Sequence, residues 1–325
     1  MIVSKTPFRI SFFGGGTDFP EWYNENDSLV ISTTIDKYCY IAARFLPPFF
    51  NTKYRIVYSE TELINDVEKI RHPVVKETIK YLNLSDKSIE LIHYADLPSR
   101  TGIGSSSSFT VGLLNSLTAL SNSNLDKKTL AEKAVHVERE LLAENVGCQD
   151  QFAAAYGGFN SISFSKNRIK VEKINLSGNY LDELQKHLLL VYTGISRFSS
   201  ETSNEFAENI EKKHNELNAL TRIAEEALDH LLHERDVKFL GRLLDESWRL
   251  KSSMSSKISN SAIDALYNLA LKHGAIGGKI LGAGGGGFML IFADPKYHEN
   301  ILNELKDFLI VPFKFDFNGT QLLNF

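Results

Sequence analysis

The segment PSRTGIGSSSSF, residues 98–109, joins a strand-like run to a helix-like run through two glycines and four consecutive serines. Before it, IELIHYA (89–95) is rich in β-branched and aromatic residues, as a strand requires. After it, Val111, Leu114, Leu117 and Leu120 recur at helical spacing and predict a helix over 106–120. The chain must therefore leave a sheet and enter a helix N-terminus through a tight glycine turn. Such a junction leaves backbone N–H groups free and pointing one way, and the helix dipole adds positive charge there. Phosphate is the natural occupant. Gly102 and Gly104 permit close backbone approach, and Ser105, Ser106, Ser107 and Ser108 add hydroxyls. The plainer reading is a serine N-cap among solubilising neighbours, but one capping serine would suffice for that. No Gly-Lys-Ser/Thr follows the glycines, so this is not a Walker A loop, and another cation must neutralise a bound phosphate.

The 325 residues make two domains the better expectation, divided in the polar NLSGNY (175–180), with units at 1–180 and 181–325. At 43% hydrophobic and 23% charged, the composition is that of a globular protein with a full core. A net charge of −4 argues against nucleic acid as a partner. Two cysteines, Cys39 and Cys148, imply no disulfide framework. The apolar N-terminal stretch is short and interrupted by Arg9, and no run reaches membrane-span length, so a cytoplasmic protein without a membrane partner is expected.

The first half predicts strands at 8–13, 28–35, 38–46, 53–59 and 89–95 and helices at 106–120 and 129–145. The second half predicts a buried strand at 188–194, a long charged helix over 199–233, and helices at 237–251 and 261–273. It ends with a strand–glycine loop–strand over 277–294 and the apolar FLIVPFKFDF.

Gly282, Gly284 and Gly287 satisfy G-x-G-x-x-G, but the strand FMLIF follows instead of a helix, which rules out a dinucleotide fold. Either the run is a flexible connection, or it packs close to a ligand or another backbone. The entropy cost of ordering four glycines favours the second.

Three carboxylates stand out. Glu138 has Ala134, Val135, Leu141 and Leu142 as its helical neighbours, with no cation among them. A partner from elsewhere, such as a metal ion, would relieve its burial, although a rim glutamate reaching water fits as well. Asp150 begins the run DQFAAAY and could be an ordinary cap, and Asp18 an ordinary turn residue.

Together these segments resemble the GHMP kinases, the family of galactokinase, homoserine kinase, mevalonate kinase and phosphomevalonate kinase. TPFRISFFGGGTDF is similar to the family's first motif, PSRTGIGSSSSF to its second and KILGAGGGGFMLIF to its third. ENVGCQDQF is similar to the galactokinase segment that carries the catalytic aspartate. The resemblance implies an α+β fold, with an N-terminal α+β domain, a ferredoxin-like C-terminal domain and the active site between them.

It also implies roles. Gly102, Ile103, Gly104 and Ser105–Ser108 would cradle the ATP phosphates; Ser106 and Glu138 would hold Mg²⁺. Asp150 would take the proton of the attacking hydroxyl, and Arg9 would lie beside it and neutralise developing charge. Asp18, with Gly15, Gly16 and Thr17, would face the substrate, and Gly284, Gly285, Gly286 and Gly287 would pack against the phosphate loop. Galactokinases carry Glu-His where Gly15 and Gly16 stand, so galactose is not expected. GGGTD instead resembles the heptose 7-phosphate kinases and the kinase domain of fucokinase. The implied reaction is ATP-dependent phosphorylation of a sugar's anomeric hydroxyl, with Arg197 a candidate for a distal sugar phosphate. Another sugar 1-kinase and a silent sugar or nucleotide sensor stay open, as does a homodimer.

Overall fold

A computed structural model of the chain describes residues 1–195, 207 and 210–323. Along the sequence the strands and helices run β1 (Ile2–Phe13), α1 (Pro20–Tyr23), β2 (Ser28–Phe45), β3 (Tyr54–Val57), β4 (Thr61–Ile64), α2 (Pro73–Tyr81), β5 (Ile89–Ala95), α3 (Ser105–Leu120), α4 (Lys127–His136) and α5 (Gln149–Tyr156). Then come β6 (Phe159–Ser165), β7 (Arg168–Lys173), α6 (Gly178–Lys186), β8 (Leu188–Tyr192), α7 (His214–Leu232), α8 (Val237–Ser253) and α9 (Ser261–Lys272). The chain closes with β9 (Ala275–Ile280), β10 (Phe288–Ala293), α10 (His298–Glu304), β11 (Leu309–Ile310), β12 (Phe315–Asp316) and β13 (Gln321–Leu323).

Among the described residues, nine strands form a large mixed sheet built around β2. β1 pairs antiparallel with β2 along nearly its whole length, β6 takes the first part of its other edge and β5 the last. The sequence suggests separate strands at 28–35 and 38–46, but β2 is continuous. A register shift between Pro7 and Phe8 on β1 lets Asp36 and Lys37 pass without a turn, and Asp36 is tied to the backbone of Lys314. α3 packs on β1 and β2, burying Val111, Leu113, Leu114 and Leu117.

The second sheet has the order β11-β8-β10-β9, all antiparallel. Numbered within the unit this is 4-1-3-2, with α7–α9 after its first strand and α10 after its third, which is the ferredoxin-like arrangement. β10 is buried at every residue, whereas α8 carries an apolar stripe of Val237, Leu240, Leu244 and Trp248 toward the core.

Three segments show organisation that the sequence pattern does not reveal. NLSGNY, the expected point of division, leads directly into α6, whose N-cap Ser177 accepts a hydrogen bond from the Tyr180 N–H. The last strands, within the expected second unit 181–325, return to the large sheet: β12 pairs with β2 and β13 with β1. The helix expected over 129–145 is regular only to His136. A π-helical turn follows at Val137–Leu141, and an irregular stretch then runs to Cys148, whose N–H donates to the Asp18 carbonyl. Among the described residues no helix is long and apolar enough to cross a membrane.

Candidate active site

The glycine–serine loop stands where the sequence predicts, between β5 and the N-terminus of α3. Gly102 has φ +81°, and a Cβ on it would lie 2.2 Å from the Leu281 carbonyl oxygen, so both conformation and space demand glycine. α3 begins at Ser105 with no acidic residue in its first turn, which leaves the positive end of the helix open to an anion.

The serines divide by environment. Ser105 Oγ accepts from the Arg100 N–H at 3.3 Å, and Ser106 is exposed. Ser107 is buried and donates to Glu138 Oε2 at 3.0 Å; Ser108 is buried and donates to the Pro7 carbonyl at 2.9 Å. The structure thus brings Ser107 to Glu138, and does not bring Ser106 there.

The glycine run of the second unit seats this loop by backbone contact. Gly282 abuts Gly102, Gly287 abuts Thr101, and the Phe288 N–H donates to the Thr101 carbonyl at 3.0 Å. Within the run 284–287 the partners differ: Gly284 packs on Ile258 and Gly286 on Ile195. A Cβ on Gly287 would stand 2.3 Å from the Thr101 carbonyl oxygen, so its ordering cost serves a close approach between the two units.

Arg9 on β1 and Asp150 in the first turn of α5 form a two-pronged ion pair, Nε to Oδ1 and Nη2 to Oδ2, both 2.7 Å. Arg9 Nη1 also donates to the Gly102 carbonyl at 2.6 Å, and its backbone N–H to the Ile103 carbonyl at 3.0 Å. The missing side chain of Gly104 faces the same pair, 3.4 Å from Asp150 Oδ2. One cation therefore ties the anion loop to the carboxylate. Asp150 keeps 22% of its side chain exposed, enough for a ligand to reach it, while Arg9 is buried at 4%.

Glu138 is buried on the π-helical turn, a distortion that recurs at functional sites. Its Oε2 accepts from Ser107 Oγ and from Gln151 Nε2 at 2.5 Å, whereas Oε1 has no partner among the described residues. Burial pushes its carboxyl up to about 7, opposed by the hydrogen bonds it accepts. A carboxylate oxygen left bare in the interior beside a serine-lined anion loop suits Mg²⁺, which takes hard oxygen ligands. Among the described residues no three His, Cys, Asp or Glu side chains gather into a metal site, so the protein would supply few ligands and phosphate or water the others.

Asp18 spends both oxygens on backbone: Oδ1 accepts from the Gly16 N–H at 2.9 Å and Oδ2 from the Gln149 N–H at 3.1 Å. Burial raises its pKa. Thr17 is likewise buried and donates to the Gly14 carbonyl. Thr17 closes the β1–α1 loop on itself, and Asp18 holds that loop, with Gly15 and Gly16, onto the start of Asp150's helix. Arg197 lies outside the described residues.

Two lysines of the second unit go unassigned in the sequence reading. Lys251 on α8 is 7% exposed, donates to the Gly282 carbonyl at 3.1 Å, and is held down to about 8 by burial. Asp18, Arg9 and Asp150 are the charges acting on it. Lys279 on β9 is fully enclosed, donates to the Phe12 carbonyl at 3.0 Å, and has its pKa driven far downward by burial. A signal for Lys251 exists: it continues the buried stripe Leu244, Ser247, Trp248 at helical spacing, where a lysine is out of place.

Comparison with known proteins places this geometry. The GHMP kinases N terminal domain model matches residues 71–158, and the GHMP kinases C terminal model residues 224–311. The D-glycero-alpha-D-manno-heptose 7-phosphate kinase of Campylobacter jejuni is 31% identical over 318 residues, covering 94% of this chain and 93% of its own. A crystal structure of a D-glycero-D-manno-heptose 1-phosphate kinase from Bacteroides thetaiotaomicron superposes with a TM-score of 0.81 at 23% identity, covering 100% of this chain and 99% of that one. Lactococcus lactis galactokinase complexed with galactose superposes with a TM-score of 0.77 at 18% identity, covering 98% and 94%. These two structural likenesses concern the fold alone.

Proposed function

Since the chain belongs to the GHMP kinase family, we propose that it transfers the γ-phosphoryl group of ATP to the anomeric hydroxyl of a sugar, with D-glycero-D-manno-heptose 7-phosphate as the acceptor. At the coarser level it is an ATP-dependent sugar kinase. The observation that carries the reading is the Arg9–Asp150 pair held against the Gly102 carbonyl.

Phosphoryl transfer needs in-line positioning and charge neutralisation more than covalent chemistry. The α3 N-terminus and the backbone of 102–108 bind the phosphates. Asp150 accepts the proton of the attacking sugar hydroxyl, and the guanidinium clamp fixes the carboxylate's plane so that an oxygen faces the acceptor. Arg9 also carries positive charge to the phosphate loop, the task a Walker lysine performs elsewhere. Mg²⁺, held by Glu138 with an α3 serine, would neutralise phosphate charge when bound. Asp18 keeps the acceptor-side loop on Asp150's helix, and Thr17 closes that loop on itself.

Two things support the acceptor. The Campylobacter relative named for the heptose spans nearly the whole chain. Gly15 and Gly16 also stand where galactokinases carry two larger side chains. Arg197 is our candidate for the distal phosphate.

The test is ADP release with D-glycero-D-manno-heptose 7-phosphate, L-fucose, D-galactose, D-mannose and mevalonate as acceptors. Highest kcat/KM for the heptose phosphate is expected. Preference for an unphosphorylated sugar would remove the heptose, and turnover of mevalonate alone would remove the sugar.

A further inference from the structure

Gly15 sits at a polar convergence that the phosphate machinery does not use. A Cβ on it would stand 3.2 Å from Ser11 Oγ, 3.4 Å from Gln149 Nε2 and 3.7 Å from Lys251 Nζ. The three side chains come from β1, α5 and α8, and are only 3%, 8% and 7% exposed. Ser11 Oγ and Gln149 Oε1 have no hydrogen-bond partner among the described residues, and Lys251 directs one hydrogen bond to the Gly282 carbonyl. Buried polar atoms are ordinarily paired, so an unpaired hydroxyl beside an amide that is itself only part-satisfied and an ammonium group, around a position without a side chain, points to a ligand.

The donor set states what that ligand carries. An ammonium group and an amide N–H only donate, and a serine hydroxyl does both. The atoms nearest Gly15 are the Ser11 hydroxyl, Gln149 Nε2 and Lys251 Nζ, so the ligand presents an acceptor oxygen to two nitrogen donors beside an unpaired hydroxyl. A sugar hydroxyl accepts from Gln149 Nε2 or Lys251 Nζ and has its own proton to give to the unpaired Ser11 oxygen, which a fully ionised phosphate does not. The charges acting on Lys251 are Asp18, Arg9 and Asp150, so the convergence lies on the acceptor side, near the proposed base.

We propose that Ser11, Gln149 and Lys251 form a recognition subsite at Gly15 for a hydroxyl of the acceptor sugar other than the one phosphorylated. The proposal rests on the sugar-kinase reading above. Lys251 gives the subsite a consequence for assembly: it brings a recognition group from the second unit to a loop of the first, so acceptor binding senses both.

The decisive variant is Ser11→Ala. Its hydroxyl has no partner to lose, so a merely structural serine predicts unchanged or raised stability and unchanged kinetics. The subsite predicts unchanged Tm and ATP KM with at least a fivefold higher acceptor KM, and a tenfold or greater rise for Lys251→Met. Gly15→Ala, at a position without positive φ, should act in the same direction by filling the space. Among monodeoxy analogues of the preferred acceptor, the one lacking the recognised hydroxyl should be insensitive to Ser11→Ala. Wild-type acceptor KM in both Ser11→Ala and Lys251→Met, with a sugar being turned over, would overturn the subsite alone. Turnover of no sugar in the panel would instead remove the sugar-kinase reading, and the subsite with it.

Discussion

Arg9 grips both carboxylate oxygens of Asp150 from 141 positions away in the chain, and a third N–H of the same guanidinium holds the Gly102 carbonyl. The proposed proton acceptor and the proposed phosphate loop are thereby fixed to one rigid cation on β1. Replacing Arg9 by Lys should be costly, because an ammonium group cannot make the fork with Asp150 and reach Gly102 together. We expect kcat to fall by about 10²-fold or more with a smaller change in ATP affinity, read by steady-state kinetics beside nucleotide titration. Near-wild-type kcat in Arg9→Lys would show that charge suffices without geometry.

The buried, half-satisfied Glu138 predicts a pH signature in metal-free protein. Its native pKa of about 7 lies above the ordinary 4.5, so between these values the native state holds a proton that the unfolded state has lost. Stability from this group therefore falls as pH rises through that window, and the full cost is present above 7. Glu138→Gln lacks the cost. Its stability advantage over wild type in chelator should grow from near zero at pH 4.5 to about 3 kcal/mol at pH 8, measured by urea unfolding. Activity should move the opposite way, and Mg²⁺ with nucleotide should raise the Tm of wild type more than that of Glu138→Gln. A pH-independent difference would return Glu138 to an ordinary paired glutamate.

The serine run gives a sharper comparison. The family resemblance assigns the metal to Ser106, yet Ser107 is the hydroxyl on Glu138 and Ser106 is exposed. Ser107→Ala leaves Glu138 Oε2 with Gln151 alone, so it should lower Tm by a few degrees as well as turnover. Ser106→Ala should leave Tm unchanged and reduce kcat only if its side chain joins the loaded site. Thermal melts beside kinetics for the two variants separate a structural hydroxyl from a liganding one.

Backbone contact between the units predicts a stability effect without chemistry. A Cβ at Gly102 would meet the Leu281 carbonyl oxygen at 2.2 Å in a conformation that alanine avoids. Gly102→Ala should cost about 2–4 kcal/mol, whereas Gly178→Ala, with open space around it at the start of α6, should be neutral or slightly stabilising. Urea midpoints with unchanged m-values would read both.

The anion loop was legible because glycine and serine at a strand–helix junction have few other uses, and Glu138 because a lone carboxylate broke an apolar stripe. The π-helical turn under Glu138 was not, since its 137–141 stretch has the same helical periodicity as a regular turn. Asp18 read as a substrate contact, but its oxygens go to backbone N–H groups that sequence does not position. Lys251 was missed because one lysine on an amphipathic helix reads as a rim residue until the Gly282 carbonyl and Asp18 close around it. The return of β12 and β13 to the first sheet was hidden for another reason: strands of two and three residues carry too little pattern to assign a partner.

The most direct measurement is ³¹P NMR of the protein with Mg-ATP and D-glycero-D-manno-heptose 7-phosphate, for wild type and Asp150→Asn. The account predicts a new anomeric phosphate monoester growing in step with ADP in wild type. In Asp150→Asn it predicts a rate lower by at least 10²-fold with nucleotide binding retained. ADP formed without a new sugar phosphate, or equal rates for the two proteins, would contradict it.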